Sequence, residues 1–89
     1  MVKIQITIIN RLGLHARAAA KFITEAGQYS CEILLARDDK PVNGKSIMEV
    51  MMLAASQGTE LTLTTSGEDE VEAANALETL ITDRFGEPE

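Results

Sequence analysis

Tryptophan is absent, tyrosine occurs once and phenylalanine twice, and 89 residues hold a single cysteine, a single histidine and two prolines. One cysteine excludes an intramolecular disulfide; within Cys31-Glu32-Ile33-Leu34-Leu35-Ala36, Cys31 reads as a small buried hydrophobe. One histidine and one remote cysteine cannot complete a zinc shell, so neither metal nor cofactor is expected. No apolar run is long enough to span a bilayer, and Val2 to Ile9 alternate where a signal peptide would be uniformly apolar. A cytoplasmic protein that makes no membrane contact is predicted. Positive charge is also scarce, eight Lys and Arg against fourteen Asp and Glu, for a net charge of −6. Binding to a phosphate backbone needs clustered cations, so nucleic acid is excluded as a partner.

At 45% hydrophobic and 25% charged, the chain has an ordinary globular composition. A chain of this length forms one domain over residues 1–89 and buries about two-thirds of its unfolded surface, so a site is expected on the outside. Val2, Ile4, Ile6 and Ile8 alternate with Lys3, Gln5 and Thr7, the period of a strand with one buried face. Asn10 to Leu14 forms a loop. From Ala16 the period changes, with Ala19, Phe22, Ile23 and Ala26 on one helical stripe and Gly27 as the stop. Cys31–Ala36 is a second strand, Arg37-Asp38-Asp39-Lys40 a turn, and Pro41 puts the short third strand at an edge.

Ser46-Ile47-Met48-Glu49 has the form of a capping box, opening a helix that runs to about Ala55 before Gly58. Leu61 and Leu63 mark a fourth strand. A last helix follows Gly67, with an acidic first turn (Glu68, Asp69, Glu70) that only starts and solvates it and an apolar stripe of Val71, Ala74, Leu77, Ile81, Leu80 and Phe85. Glu87-Pro88-Glu89 reads as a disordered polar tail. The order β-α-β-β-α-β-α predicts an α+β two-layer open-faced sandwich: a four-stranded, mainly antiparallel sheet with three helices on one face.

The lone histidine stands in Asn10-Arg11-Leu12-Gly13-Leu14-His15-Ala16-Arg17, where a strand-to-helix loop meets a helix N-terminus. Unpaired backbone N–H groups and the positive end of a helix dipole surround a nucleophile there, a combination suited to an anion and most often a phosphoryl group. Asn10 and Arg11 border the site without an assigned role. In the second helix, Val50 and Leu53 form the inward stripe, which leaves Ile47, Met48 and Met51 exposed; core and surface are both open for Met52.

Gly13-Leu14-His15-Ala16-Arg17 resembles the phosphorylation motif of the histidine-containing phosphocarrier family, HPr, of the bacterial phosphotransferase system. Gly44-Lys45-Ser46-Ile47-Met48 resembles that family's second, serine-containing motif, and the likeness covers essentially the whole chain. The resemblance implies a carrier, not an independent enzyme, that accepts a phosphoryl group from enzyme I on His15 and donates it to an enzyme IIA domain. A neutral imidazole can attack phosphorus. Arg17 and the backbone N–H groups of Ala16 and Arg17 would hold the anion, each through a charge-assisted hydrogen bond of roughly 1.5–3 kcal/mol.

The family's docking surface maps onto Ile47, Met48 and Met51 with Ala20 and Lys21, where Arg17 and Lys21 attract acidic partners. Ser46 corresponds to a residue that HPr kinase modifies in some bacteria, although its capping role already explains a serine there. The chain departs from the motif at Ala18, where many members carry proline. Altered rates or partner preference are expected from that change, and with the methionine-rich helix it tilts the reading toward the family's nitrogen-related regulatory branch over sugar uptake. A monomer is expected. The rival from another class is a small α+β regulatory module that binds without covalent chemistry, in which His15 would be dispensable.

Overall fold

Inward apolar residues at every second position and helices with one apolar stripe assemble as the patterns require. The computed structural model describes residues 1–89. Its elements are β1 (Val2–Thr7), α1 (Ala16–Ala26), β2 (Glu32–Arg37), β3 (Lys40–Asn43), α2 (Ile47–Met52), β4 (Glu60–Ser66) and α3 (Glu70–Thr82), followed by one 3₁₀ turn at Arg84–Gly86. The sheet order is β1-β4-β2-β3, and every pairing is antiparallel. Leu63 of β4 lies between Ile4 on one side and Leu35 on the other, so the central strand carries the middle of the core. Phe22 of α1, Val50 of α2 and Leu77 and Ile81 of α3 cover that face. The result is the expected open-faced α+β sandwich.

Local chemistry sets the connections. Asp38 and Asp39 both take positive φ between Arg37 and Lys40, the two-residue hairpin turn whose twist matches the flanking strands. β3 with Pro41 is an edge strand, as predicted. α2 ends at Met52, short of Ala55. Leu53 turns inward, Ala54 takes φ 50°, and Arg37 Nη1 donates to the carbonyls of Leu53 (2.9 Å) and Ala54 (3.0 Å).

Three expectations are corrected. Val71 is 53% exposed and Ala73 takes an inward place on α3. The reason is helical phase: Val71 is six residues from Leu77, about 120° round the axis. Phe85 does not extend the α3 stripe. α3 stops at Thr82, and Arg84 and Phe85, both at positive φ, reverse the chain so that the ring buries completely. Burying such a ring, worth roughly 1.5–3 kcal/mol, offsets most of the about 2–4 kcal/mol that two left-handed residues cost, and the Lys21 Nζ bond to Phe85 O adds to it. The capping box is only half formed. Ser46 Oγ accepts from Glu49 N at 3.3 Å, but the Glu49 carboxylate reaches back to Asn43 N (3.1 Å), because Ser46 N already donates to Asn43 O.

Gly13 has φ +70°, and a Cβ on it would lie 2.7 Å from Ala55 O and 2.9 Å from Ser56 Cα. That approach lets Leu14 N bond Ala55 O at 2.8 Å and seats the histidine loop against the chain leaving α2. Gly13→Ala is expected to cost about 2–3 kcal/mol in urea denaturation, since both the φ and the space forbid a side chain.

Candidate functional site

Asn10 ends the first strand's excursion and is fully buried. Its Nδ2 donates to Gly13 O (2.8 Å), closing the loop on itself, and to Glu87 Oε1 (3.0 Å), which comes from the far end of the chain. His15 is the N-cap of α1 in extended conformation, and its side chain makes no capping bond. Its carbonyl accepts from Ala19 N at 2.8 Å, the first helical bond. The N–H groups of Ala16, Arg17 and Ala18 therefore find no acceptor in the protein. The loop and the α1 stripe thus present a partly exposed imidazole at a helix start with the free donors of two exposed residues, Ala16 and Arg17, beside it. Ala18, where a proline would remove the N–H, is fully buried and adds no exposed donor.

The ring itself is engaged on one side only. Nε2 contacts Glu87 Oε2, and Nδ1 has no protein partner. Glu87 is 12% exposed on its side chain against 24% for His15. The Asn10 amide holds the Glu87 carboxyl below the usual carboxylate range; burial opposes this, and His15 and Arg17 reinforce it. The Asn10 Oδ1 atom is buried without a partner, so the amide is oriented by what its nitrogen holds.

Glu87-Pro88-Glu89, read as a disordered tail, is instead folded across the histidine loop. Arg11 N donates to Glu89 O, and Arg11 Nη1 pairs with Glu89 at 2.9 Å. The buried Phe85 ring anchors this segment, and Lys21 Nζ donates to Phe85 O at 2.6 Å. Between tail and loop lies a groove of about 310 Å³ lined by Arg11, Leu12, Arg17, Glu87, Pro88 and Glu89. Arg17 is exposed and has no ion pair, so its guanidinium is free to meet an anion in that groove. Sequence reasoning missed Glu87 and the part played by Asn10. The one available signal was an asparagine at an inward position of the β1 alternation, after Ile8.

The remaining candidates fall on neighbouring surfaces. Ile47, Met48 (76% exposed), Met51 and Met52 all face outward, which settles Met52 as surface. A second groove of about 380 Å³ joins Arg17, Ala20 and Lys21 to Thr24, Glu25 and Leu80. Lys21 is exposed, yet its ammonium serves the C-terminal turn. Ser46 is half-buried in its cap. Asp69 does more than solvate α3, for its carboxylate accepts from Ser30 N (2.8 Å) and Cys31 N (2.9 Å) and ties α3 to the loop before β2. The Ser30 amide draws the Asp69 carboxyl down, and burial pushes the Cys31 thiol up. No helix is long and apolar enough to cross a membrane.

Comparison with known proteins agrees with this geometry. The family described as "PTS HPr component phosphorylation site" matches residues 2–83. The phosphocarrier protein HPr of Pseudomonas aeruginosa is 59% identical over 90 residues, covering all of both chains. Among solved structures, HPr-C-His from Thermoanaerobacter tengcongensis matches with a TM-score of 0.96 at 46% identity over both full chains. An HPr dimer from the same organism matches at 0.79 and 47% identity, covering 98% of this chain and 100% of that one.

Proposed function

The chain belongs to the HPr family of phosphocarrier proteins of the phosphotransferase system, and on that footing we propose that His15 accepts a phosphoryl group from enzyme I and donates it to an enzyme IIA domain. The observation that carries this reading is the unpartnered Nδ1 of His15 beside the free, exposed N–H groups of Ala16 and Arg17 and the unpaired Arg17 guanidinium. The Nδ1 lone pair attacks phosphorus, the N–P bond forms there, and the donor's bond to phosphorus breaks with its electron pair kept by the donor. Arg17 and the helix start then face the transferred oxygens. Ala16 and Arg17 are exposed while Ala18 is buried, so two surface donors orient the phosphoryl group without enclosing it, as a carrier that must pass it on requires.

Ile47, Met48, Met51, Ala20 and Lys21 form the docking surface, where flexible methionines suit several unrelated partners. Ser46 serves as a helix cap, which its bond to Glu49 N supports over a target for HPr kinase. The full-length relatives carry the general HPr name, which supports the common carrier role over a nitrogen-specific one. The proposed carrier is a cytoplasmic monomer with no cofactor of its own; size-exclusion chromatography reads the oligomeric state, since a similar protein forms an HPr dimer.

Incubation with enzyme I, magnesium and phosphoenolpyruvate is expected to add one acid-labile phosphoryl group, read by intact mass. A folded protein that gains no mass with enzyme I from the same organism would overturn the carrier reading in favour of a non-covalent regulatory module.

A further inference from the structure

We infer that Glu87 is a positioning residue for phosphoryl transfer: it holds the His15 proton on Nε2 and so fixes Nδ1 as the nucleophile. The transfer role rests on the carrier reading above, whereas the state of the ring stands apart from it.

The argument is one of donors and acceptors. Asn10 Nδ2 donates to Gly13 O at 2.8 Å and to Glu87 Oε1 at 3.0 Å. Turning that amide over would set Oδ1 against the Gly13 carbonyl and the Glu87 carboxylate, acceptor against acceptor. The amide is therefore locked in its donor orientation, and its buried Oδ1 goes without a partner as the consequence. With Oε1 taken by Asn10, Oε2 of the ionised carboxylate can only accept, and what it meets is His15 Nε2. A neutral imidazole carries one N–H. That proton must lie on Nε2, which leaves the Nδ1 lone pair toward solvent.

The same contact serves the product. When Nδ1 forms its bond to phosphorus, Nε2 keeps its proton and the ring becomes cationic; Glu87 faces that new charge. When the group leaves, the electron pair returns to Nδ1 and the ring is neutral again. No proton has to enter or leave the site. The division of labour matches that of an acid–histidine pair in nucleophilic catalysis, where the carboxylate sets the tautomer and faces the imidazolium. Position is held from both sides of Glu87, by the buried Phe85 ring with Lys21 on its carbonyl and by Arg11 on Glu89.

Glu87→Gln tests this, since it keeps the shape and converts one acceptor oxygen into an NH₂ donor. Asn10 still presents a donor, so the Gln oxygen turns to Asn10 and its NH₂ turns to His15. Nε2 must then accept, and the proton moves to Nδ1. Imidazole ¹⁵N spectra of the unphosphorylated proteins at about pH 9, where an ordinary imidazole is neutral, read this directly. Wild type is expected as the Nε2–H form, Glu87→Gln as the Nδ1–H form, and Glu87→Ala as a mixture of the two. In single-turnover transfer from phosphorylated enzyme I, Glu87→Gln is expected to be slower than Glu87→Ala, with a maximal rate constant about tenfold or more below wild type at an unchanged half-saturating concentration. A contact that served packing alone would give the opposite order, because Gln preserves shape and Ala does not. The same tautomer in wild type and Glu87→Gln, or equal transfer rates, would overturn the inference. A wild-type protein that takes no phosphoryl group would overturn the carrier reading and the transfer role with it, and the spectra distinguish that failure because they need no enzyme I.

Discussion

A His15→Ala variant is expected to gain no phosphoryl mass under conditions that fully charge the wild type, while its fold persists. The loss is complete because no other imidazole exists in the chain. The fold persists because the side chain does little structural work. His15 caps α1 without a side-chain bond, so alanine there forfeits no capping interaction. Its backbone carbonyl still accepts from Ala19 N, and its ring touches a polar group only at Glu87. Losing that charge-assisted contact costs about 1.5–3 kcal/mol, within reach of a urea titration and short of unfolding the domain. The two readouts together distinguish a chemical role from a structural one. Phosphoryl mass on the alanine variant would move the site elsewhere, Ser46 being the first place to look.

The largest stability effect is expected from Asn10→Asp, an isosteric change at a fully buried position. The wild-type amide gives its two hydrogens to Gly13 O and Glu87 Oε1. An aspartate would turn a carboxylate toward a carbonyl and a second carboxylate. Uncompensated buried charge of this kind costs about 3–5 kcal/mol near neutral pH. The two proteins should also answer to acid in opposite directions. Glu87 has a folded pKa below its ordinary 4.5, so it contributes stability above that value and loses it as pH falls through the lower folded one. The carboxyl introduced by Asn10→Asp would have a folded pKa raised above its unfolded one, so its penalty is full at neutral pH and fades as pH falls through the raised value. Urea midpoints of the two proteins should therefore lie closer together at about pH 5 than at about pH 7. A gap of equal size at both would mean that the new carboxylate escapes the pairing with Glu87.

The elements of this fold were legible wherever periodicity is local. The alternation of Ile4, Ile6 and Ile8, the stripe of Ala19, Phe22 and Ala26, and the Asp38-Asp39 turn each declare themselves within a few residues. The histidine, its arginine and the helix start beneath them were legible for the same reason, since they are neighbours in sequence. What escaped were contacts spanning nearly the whole chain. Glu87 lies 72 positions from His15 and 77 from Asn10, and a short run of two glutamates and a proline has no period to read. Apolar character puts Phe85 on the α3 stripe, but two successive left-handed residues take it off the helix, and nothing in Arg84-Phe85 favours that backbone except the burial it permits. Local pattern likewise ties Glu49 and Asp69 to their own helices' first turns, yet both bond amides of preceding segments. Local pattern names the donor or acceptor; only the assembled fold decides which partner it meets.

The placement of β4 between β1 and β2 governs the order in which the molecule can be made. Val2 pairs with Thr65 and Thr7 with Glu60, so the first strand synthesised has no neighbour until the chain has been extended to residue 60 and beyond. The β2–β3 hairpin, closed by a two-residue turn, needs no such wait. Nascent chains are therefore expected to carry that hairpin and α1 early while β1 stays unpaired. The sheet closes only when β4 arrives to join both halves at once, and the histidine loop, which hangs from β1, takes shape at the same moment. A mixed α/β domain that depends on so distant a pairing folds more slowly than a helical bundle of its size, and the newest part of the chain completes a site whose nucleophile was among the first residues translated.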